Sequence, residues 1–223
     1  MKEIDFMSPL HKSTQRDYLK RVNDPEYPKH KAAVLAKKFD YDYWDGDRRI
    51  CYGGYKYIPG RWEPVAKRMI DHYKLTNKSK ILDIGCGKGY LLFEIKKLLP
   101  EAEVRGIDIS KYAIEKAQPD IKQYLLTSSS NKIPFPDKSF DFVFSINTLH
   151  NLYCNDLFDS LTEINRLSKS CSYICVESYR NELEKANLLY WQVTCEAFNT
   201  PSEWLWWFEL AKYKGDYSFI FFN

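Results

Sequence analysis

Apolar and polar positions change rhythm along this chain. From residue 62, the apolar set Trp62, Val65, Ala66, Met69, Ile70 and Tyr73 recurs at helical spacing and marks one stripe of an amphipathic helix. Beyond it, short apolar runs take turns with helix-periodic segments. KILDIG is stopped by glycine, Tyr90 to Leu99 is helical, VRGIDI is a second run, and Lys111 to Ala117 is helical again. Strands follow near Gln123 to Thr127, at Phe140 to Ile146 and at Ser172 to Glu177, with a helix from Asp156 to about Ser168 between the last two. Strands separated by crossovers predict a parallel sheet with helices on both faces, an α/β architecture whose ligands sit at the carboxyl ends of the strands. The rhythm then gives two helices, Glu182 to Ala197 and Pro201 to Tyr213, the second opened by a Thr200 and Glu203 capping box, and a last strand, Tyr217 to Phe222.

Ahead of this region the pattern is different. Ser8 and Pro9 signal the start of a helix running to about Val22, Pro25 and Pro28 break it, and a second helix is expected over Lys29 to Phe39. Asp40 to Gly60 reads as irregular. The expected organisation is a helical N-terminal extension and lid over residues 1–60 and a main domain over residues 61–223.

Composition narrows the class. With 223 residues, 44% hydrophobic and 28% charged, the chain is globular rather than disordered. A net charge of +3 gives no bulk attraction for nucleic acid, which is not expected as a partner. No apolar run approaches the ~20 residues of a membrane span, and the N-terminus lacks the apolar core of a signal peptide, so a cytoplasmic protein without membrane association is expected. The six cysteines form no CxxC pair, so neither a disulfide framework nor a metal site is expected. Aromatic residues, 16% of the chain, crowd between Tyr41 and Trp62 and again between Tyr190 and Phe222.

The most informative segment is LDIGCGKGY, residues 82–90. A strand meets a helix through Gly85, Gly87 and Gly89, a turn that lets backbone approach a ligand and offers amide N–H groups to it. The spacing is G-x-G-x-G with no Gly-Lys-Ser/Thr, so a phosphate loop is excluded and a dinucleotide fingerprint is spoiled. Asp83 puts a carboxylate where a cationic ligand is matched. Asp108 ends the second strand 19 residues after Gly89, the distance at which an acid takes ribose hydroxyls. The combination points to adenosine joined to an amino acid.

Together with GIDIS at 106–110 and IPFPDKSFDFVFSINTLHNL at 133–152, this loop resembles the class I S-adenosylmethionine-dependent methyltransferases over roughly Lys80 to Glu177. The resemblance implies a Rossmann-like fold and S-adenosyl-L-methionine as cofactor. It implies that Gly85, Cys86 and Gly87 line the methionine part, Asp108 and Ile109 hold ribose and adenine, and Asn147 lies beside the sulfonium. The sequence departs from the family at Ser128, Ser129 and Ser130, where an acid or amide usually meets the adenine amino group; Ser129 is expected to accept that bond instead. Six strands are counted where the family usually has seven.

Methyl transfer depends mostly on placement, with a positioned base adding about 100-fold to 10,000-fold. His150, just beyond the fourth strand, is a candidate base, and the bland reading, packing and hydrogen bonding that only hold the loop, is the stronger alternative. Glu177, at the end of the fifth strand, is the second candidate, and Tyr179 and Arg180 follow it as candidate substrate contacts. The segment Tyr41 to Trp62 interleaves aromatics with Arg48, Arg49, Lys56 and Arg61, and reads as a lid in which Tyr55 and the arginines meet an anionic acceptor. The alternative for Arg48 and Arg49 is pairing with Asp45 and Asp47. Trp204, Trp207, Phe208 and Ala211 form a core stripe; Leu205 and Trp206 fall off it and are candidates for closing the acceptor pocket or for homo-oligomer contact. The leading expectation is methylation of oxygen or nitrogen on a small anionic metabolite. An RNA methyltransferase and a binding-only sensor of the methyl donor are the alternatives, and the glycine spacing argues against a nicotinamide oxidoreductase.

Overall fold

Strand alternation sorts the central sheet into two faces. In the computed structural model, which describes residues 1–10 and 17–223, six strands form it: β1 (Lys80–Ile84), β2 (Glu103–Asp108), β3 (Leu125–Thr127), β4 (Phe140–Ile146), β5 (Ser168–Glu177) and β6 (Asp216–Ile220). Their order is β3-β2-β1-β4-β5-β6 and every pairing is parallel. Ile81, Phe142, Phe144, Tyr173 and Cys175 point to one face; Leu82, Ile84, Val143, Ile174 and Val176 point to the other. Both sets are buried, as a parallel sheet covered on two sides requires.

The helices follow in chain order. The first helix is α1 (Tyr18–Val22), opened by the Asp17 side chain accepting from the Lys20 amide at 3.0 Å; Ser8 and Pro9, expected to start it, lie instead in a turn closed by the Leu10 amide on the Met7 carbonyl, and residues 11–16 lie outside the described residues. α2 (Lys29–Ala36) stops short of Phe39, whose left-handed φ of 51° breaks the helix. The stretch expected to be irregular contains one short helix, α3 (Tyr41–Trp44), capped by Asp40. α4 (Glu63–Tyr73) buries the Val65, Ala66 and Met69 stripe. α5 (Tyr90–Leu98), α6 (Lys111–Glu115), α7 (Pro119–Lys122) and α8 (Cys154–Leu167) are the crossovers, followed by α9 (Glu182–Trp191) and α10 (Pro201–Leu210), whose Thr200 and Glu203 capping box is formed. Residues of α4 and α5 cover the first face, and residues of α8 and α10 the second, with Trp204 and Phe208 fully buried.

Two departures from the sequence expectation matter for the site. α9 ends at Trp191 instead of Ala197 because residues 192–197 are captured by tertiary bonds. The amides of Glu196 and Ala197 both donate to the His150 carbonyl at 2.9 Å, and the Thr194 hydroxyl donates to Asn151 at 2.8 Å. At the far edge, β6 runs parallel to β5, and among the described residues no further strand pairs with it; residues 2–4 at the N-terminus meet it through a parallel bridge at Glu3 and Tyr217. β1 lies between β2 and β4, so the chain reverses its direction of travel across the sheet there. The loops after β1 and β4 therefore separate and leave a crevice at the carboxyl edge.

Candidate active site

The crevice opens into a cavity of about 1140 Å³. Its inner wall is the loop after β1. Gly85, Gly87 and Gly89 all have positive φ, at 81°, 55° and 74°, and a Cβ on any of them would come closer than 3 Å to a neighbouring side chain. A Cβ on Gly85 would lie 1.9 Å from the Thr148 hydroxyl, and one on Gly87 would lie 2.8 Å from the Trp44 ring. Asp108 fixes this loop. One carboxylate oxygen accepts the Gly87 amide at 2.7 Å and the other the Ser110 amide at 2.8 Å. Burial raises the Asp108 carboxyl from its ordinary range, against the pull of those two amides.

Two polar groups on this wall lack partners among the described residues. Asp83, 5% exposed, makes no hydrogen bond or ion pair with a described residue, and burial, with Asp108 nearby, pushes its carboxyl well up. Asn147 holds a left-handed φ of 54°, and its buried Oδ1 receives no hydrogen bond. An orphaned amide oxygen calls for a hydrogen-bond donor, and an unpaired carboxylate beside it favours one that carries positive charge. An amino-acid ammonium beside a sulfonium has that chemistry, so the residues present fit S-adenosylmethionine.

The floor is built where β4 and β5 end. His150, 2% exposed, accepts the Glu177 amide on Nδ1 at 3.4 Å, and its Nε2 lies 3.5 Å from Glu177 Oε2. The Gln192 side-chain amide donates to the same Oε2. Glu177 Oε1 has no described partner, and Glu177 lines the cavity. Burial holds His150 down to about 3 and lifts Glu177 to about 8, the latter opposed by the Gln192 hydrogen bond. His150 is therefore held neutral near pH 7, with both of its nitrogens facing Glu177.

The outer wall is the segment that the sequence predicts to be a lid. Trp44, Tyr52 and Tyr55 stack over the glycine loop with Tyr90, and the Trp44 indole N–H donates to the Ser110 hydroxyl at 2.9 Å. Of the candidate residues, Arg48, Tyr55, Arg61, Asp83, Gly85, Cys86, Gly87, Asp108, Ile109, Ser129, Asn147, His150, Glu177 and Arg180 line this one cavity. Burial, with Asp108 and Asp83 behind it, pushes the Cys86 thiol far up, which keeps it a neutral wall residue.

Three candidates stand elsewhere. Arg49 does not line the cavity: its guanidinium is committed to Asp47 at 2.6 Å and Glu26 at 2.7 Å on the outer surface. Tyr179 is buried outside it, beneath the Lys185 ammonium. Gly89 forms the N-cap of α5, behind the wall. Leu205 and Trp206 are not among the lining residues either; Trp206 stands exposed against Trp207.

The structure adds residues that pattern reading did not single out. Arg21, Trp191 and Gln192 line the cavity, brought there by the packing of α1 on α9. Asp156 of α8 lines the cavity and accepts from the Asn131 amide at 2.6 Å, while the Ser129 hydroxyl donates to Asn131 at 2.7 Å. An acidic group thus reaches the edge where the sequence has serines. Its helical position gave no signal, because only the third dimension joins it to Ser129.

Comparison with known proteins places this geometry. The methyltransferase-domain family matches residues 75–212. An uncharacterized methyltransferase of Schizosaccharomyces pombe is 30% identical over 125 residues, covering 51% of this chain and 44% of the relative. The malonyl-[acyl-carrier protein] O-methyltransferase of Legionella pneumophila is 33% identical over 92 residues, 40% of this chain and 32% of the relative. The tRNA U34 carboxymethyltransferase of Nautilia profundicola is 31% identical over 104 residues, 43% of this chain and 33% of the relative. The chain thus spans less than half the length of these relatives. In fold it superposes on the YcgJ protein of Bacillus subtilis with a TM-score of 0.55 at 21% identity, covering 66% of each chain. It superposes on an S-adenosylmethionine-dependent methyltransferase of Aquifex aeolicus with a TM-score of 0.51 at 23% identity, covering 69% of this chain and 82% of that one. With a parallel sheet reversing at β1, a glycine loop braced by Asp108 and a family match across most of its length, this chain belongs to the class I S-adenosylmethionine-dependent methyltransferases.

Proposed function

We propose that this protein transfers a methyl group to oxygen or nitrogen of a small anionic acceptor, with residues 1–60 serving as its lid. The observation that carries the reading is Glu177: one carboxylate oxygen is held by His150 and Gln192, and the other, on the cavity, has no partner among the described residues. S-adenosylmethionine, when bound, supplies an activated methyl group. Asp83 and Asn147 would hold its amino-acid end, the Gly85 to Gly87 backbone its methionine, and Asp108, Ile109, Ser129 and Asp156 its nucleoside. Glu177 takes the proton that the acceptor loses, and His150 fixes the carboxylate rather than acting as base itself. A carboxyl with a proton affinity near neutrality suits that task.

The anionic character of the acceptor rests on Arg21, Arg48, Arg61 and Arg180, which all line the cavity. Arg61 makes no ion pair with a described side chain, so its guanidinium is available to a carboxylate or phosphate. Arg180 is tied to Glu184 and lies 4.0 Å over the Phe221 ring, which fixes its place at the rim. The test is a screen with methyl-labelled S-adenosylmethionine against small carboxylic acids, phosphate esters and their neutral analogues. Label transfer confined to the anionic members supports the reading. Transfer confined to neutral members would refute the role of the arginines.

An RNA acceptor is the second reading, favoured by the similarity to the tRNA-modifying relative. Binding of RNA with a steep loss of affinity on adding salt would support it, because each phosphate neutralised releases counterions.

A further inference from the structure

The sequence places Lys88 inside the glycine loop, where a phosphate-binding loop would aim a lysine at its ligand. Here it points the other way. Lys88 is only 4% exposed and is not among the cavity-lining residues. Its ammonium donates to both oxygens of Asp45, at 2.8 and 2.7 Å, and to the Tyr55 carbonyl at 2.8 Å. Those three bonds use all three protons of the group. Both acceptors belong to the lid. Asp45 in turn accepts the Tyr55 amide at 3.0 Å and the Tyr112 hydroxyl at 2.9 Å, while the Tyr90 hydroxyl donates to the Tyr55 carbonyl at 2.9 Å. Burial alone would raise the Asp45 carboxyl, and the Lys88 and Tyr112 hydrogen bonds bring it below its ordinary value.

A second tether meets the same loop one residue earlier. Trp44 covers Gly87 and donates to Ser110, whose amide is held by Asp108, whose other oxygen holds the Gly87 amide. Consecutive lid residues, Trp44 and Asp45, are thus bound to consecutive loop residues, Gly87 and Lys88. Taking an ammonium and a carboxylate out of water is costly unless the pairing is complete. A loop needing only backbone flexibility has no use for such a pair.

We propose that Lys88 is a positioning residue that fastens the lid to the cofactor loop, so that lid closure and cofactor binding are one linked equilibrium. Lys88 touches no reacting atom. It acts by holding Trp44 and Tyr55 over the loop, and by holding the loop in the conformation that Asp108 braces. The inference rests on the cofactor site itself and is independent of which acceptor is methylated. Linkage is reciprocal: whatever factor the closed lid adds to cofactor affinity, the cofactor adds to lid closure.

The test uses S-adenosylhomocysteine as probe, on the full chain. Amide hydrogen exchange is read at Tyr52, Gly54 and Tyr55, whose N–H groups are bonded to Tyr43, Trp44 and Asp45, and affinity is measured by calorimetry. In the wild-type protein the probe should slow exchange at these amides. In Lys88→Met the lid amides should exchange faster, the probe should no longer slow them, and affinity should fall by about 5- to 150-fold, the range of typical coupling. Amides of β4 and α8 should be unaffected. Lys88→Gln, which keeps an amide donor toward Asp45, is the second variant should Lys88→Met fail to fold; it should show the same changes to a smaller extent. Unchanged affinity and unchanged lid exchange in a folded Lys88 variant would overturn the proposal. Absence of probe binding by the wild-type protein would overturn it together with the cofactor assignment, whereas normal binding with no effect of Lys88 would overturn the latch alone.

Discussion

Replacing Glu177 by Gln removes an ionisation that the fold opposes, and its consequence for stability is calculable. Burial lifts this carboxyl from 4.5 to about 8. Each tenfold change in proton affinity is worth about 1.36 kcal/mol, so ionising Glu177 inside the fold costs roughly 5 kcal/mol more than in the unfolded chain. The folded protein holds this proton more tightly than the unfolded chain does. Its contribution to stability is complete below pH 4.5, declines as pH rises, and is gone above about 8. His150 works in the opposite direction. Burial lowers it from 6.5 to about 3, so its contribution is complete above pH 6.5 and is lost as pH falls toward 3. Between pH 4.5 and 6.5 the two slopes cancel, and between 6.5 and 8 the Glu177 slope stands alone. Denaturant unfolding at a series of pH values should show the wild-type protein on a plateau that falls above pH 6.5. Glu177→Gln, an isostere of the protonated acid, should match the wild type below pH 4.5, keep rising to 6.5, and stay level beyond. At pH 8 it should be the more stable protein by several kcal/mol. Parallel curves for the two proteins across this range would show that Glu177 ionises as it does in water, and would remove the physical basis for its role as a base.

Two further outcomes follow from the wall and the rim. Asp83→Asn removes a buried carboxylate that has no partner among the described residues, so the free protein should melt higher, by about 2–4 °C for each kcal/mol recovered. Affinity for S-adenosylhomocysteine should fall roughly tenfold to a hundredfold, the worth of a charge-assisted hydrogen bond of about 1.5–3 kcal/mol; undiminished affinity by calorimetry would place the cofactor's amino group elsewhere. With an anionic acceptor in hand, Arg48→Ala should raise its KM about tenfold or more while leaving cofactor affinity in place. Arg49→Ala, which disrupts pairs with Asp24, Glu26 and Asp47 and a stack on the Tyr27 ring, all away from the cavity lining, should leave KM unchanged, and equal effects from both variants would refute the distinction.

Local pattern carried a great deal of this protein. The alternation of apolar runs with helical stripes gives the parallel sheet, because side-chain periods of 2 and 3.6 are properties of the backbone itself. The three glycines and Asp108 were legible for a similar reason: positive φ and close approach leave few residue types available, so the requirement shows in the letters. Glu177 was legible too, as a carboxylate ending an apolar strand. What the letters did not show was which long side chains meet. Arg48 and Arg49 are neighbours in sequence, yet one lines the cavity and the other is tied to Glu26 on the outer surface. His150 read as either a base or a packing residue, and only the fold shows that both of its nitrogens face Glu177. Residues 192–197 read as helix until the His150 carbonyl claimed two of their amides. Lys88 lay within the motif and still gave no sign of facing the lid. Sequence alone determined the elements and the glycine bend, since those depend on local backbone geometry and on which faces exclude water. Tertiary structure decided the partners of each buried charge, because an ion or a hydrogen-bonding nitrogen in a low-dielectric interior is governed by whatever group the distant chain brings within about 3 Å.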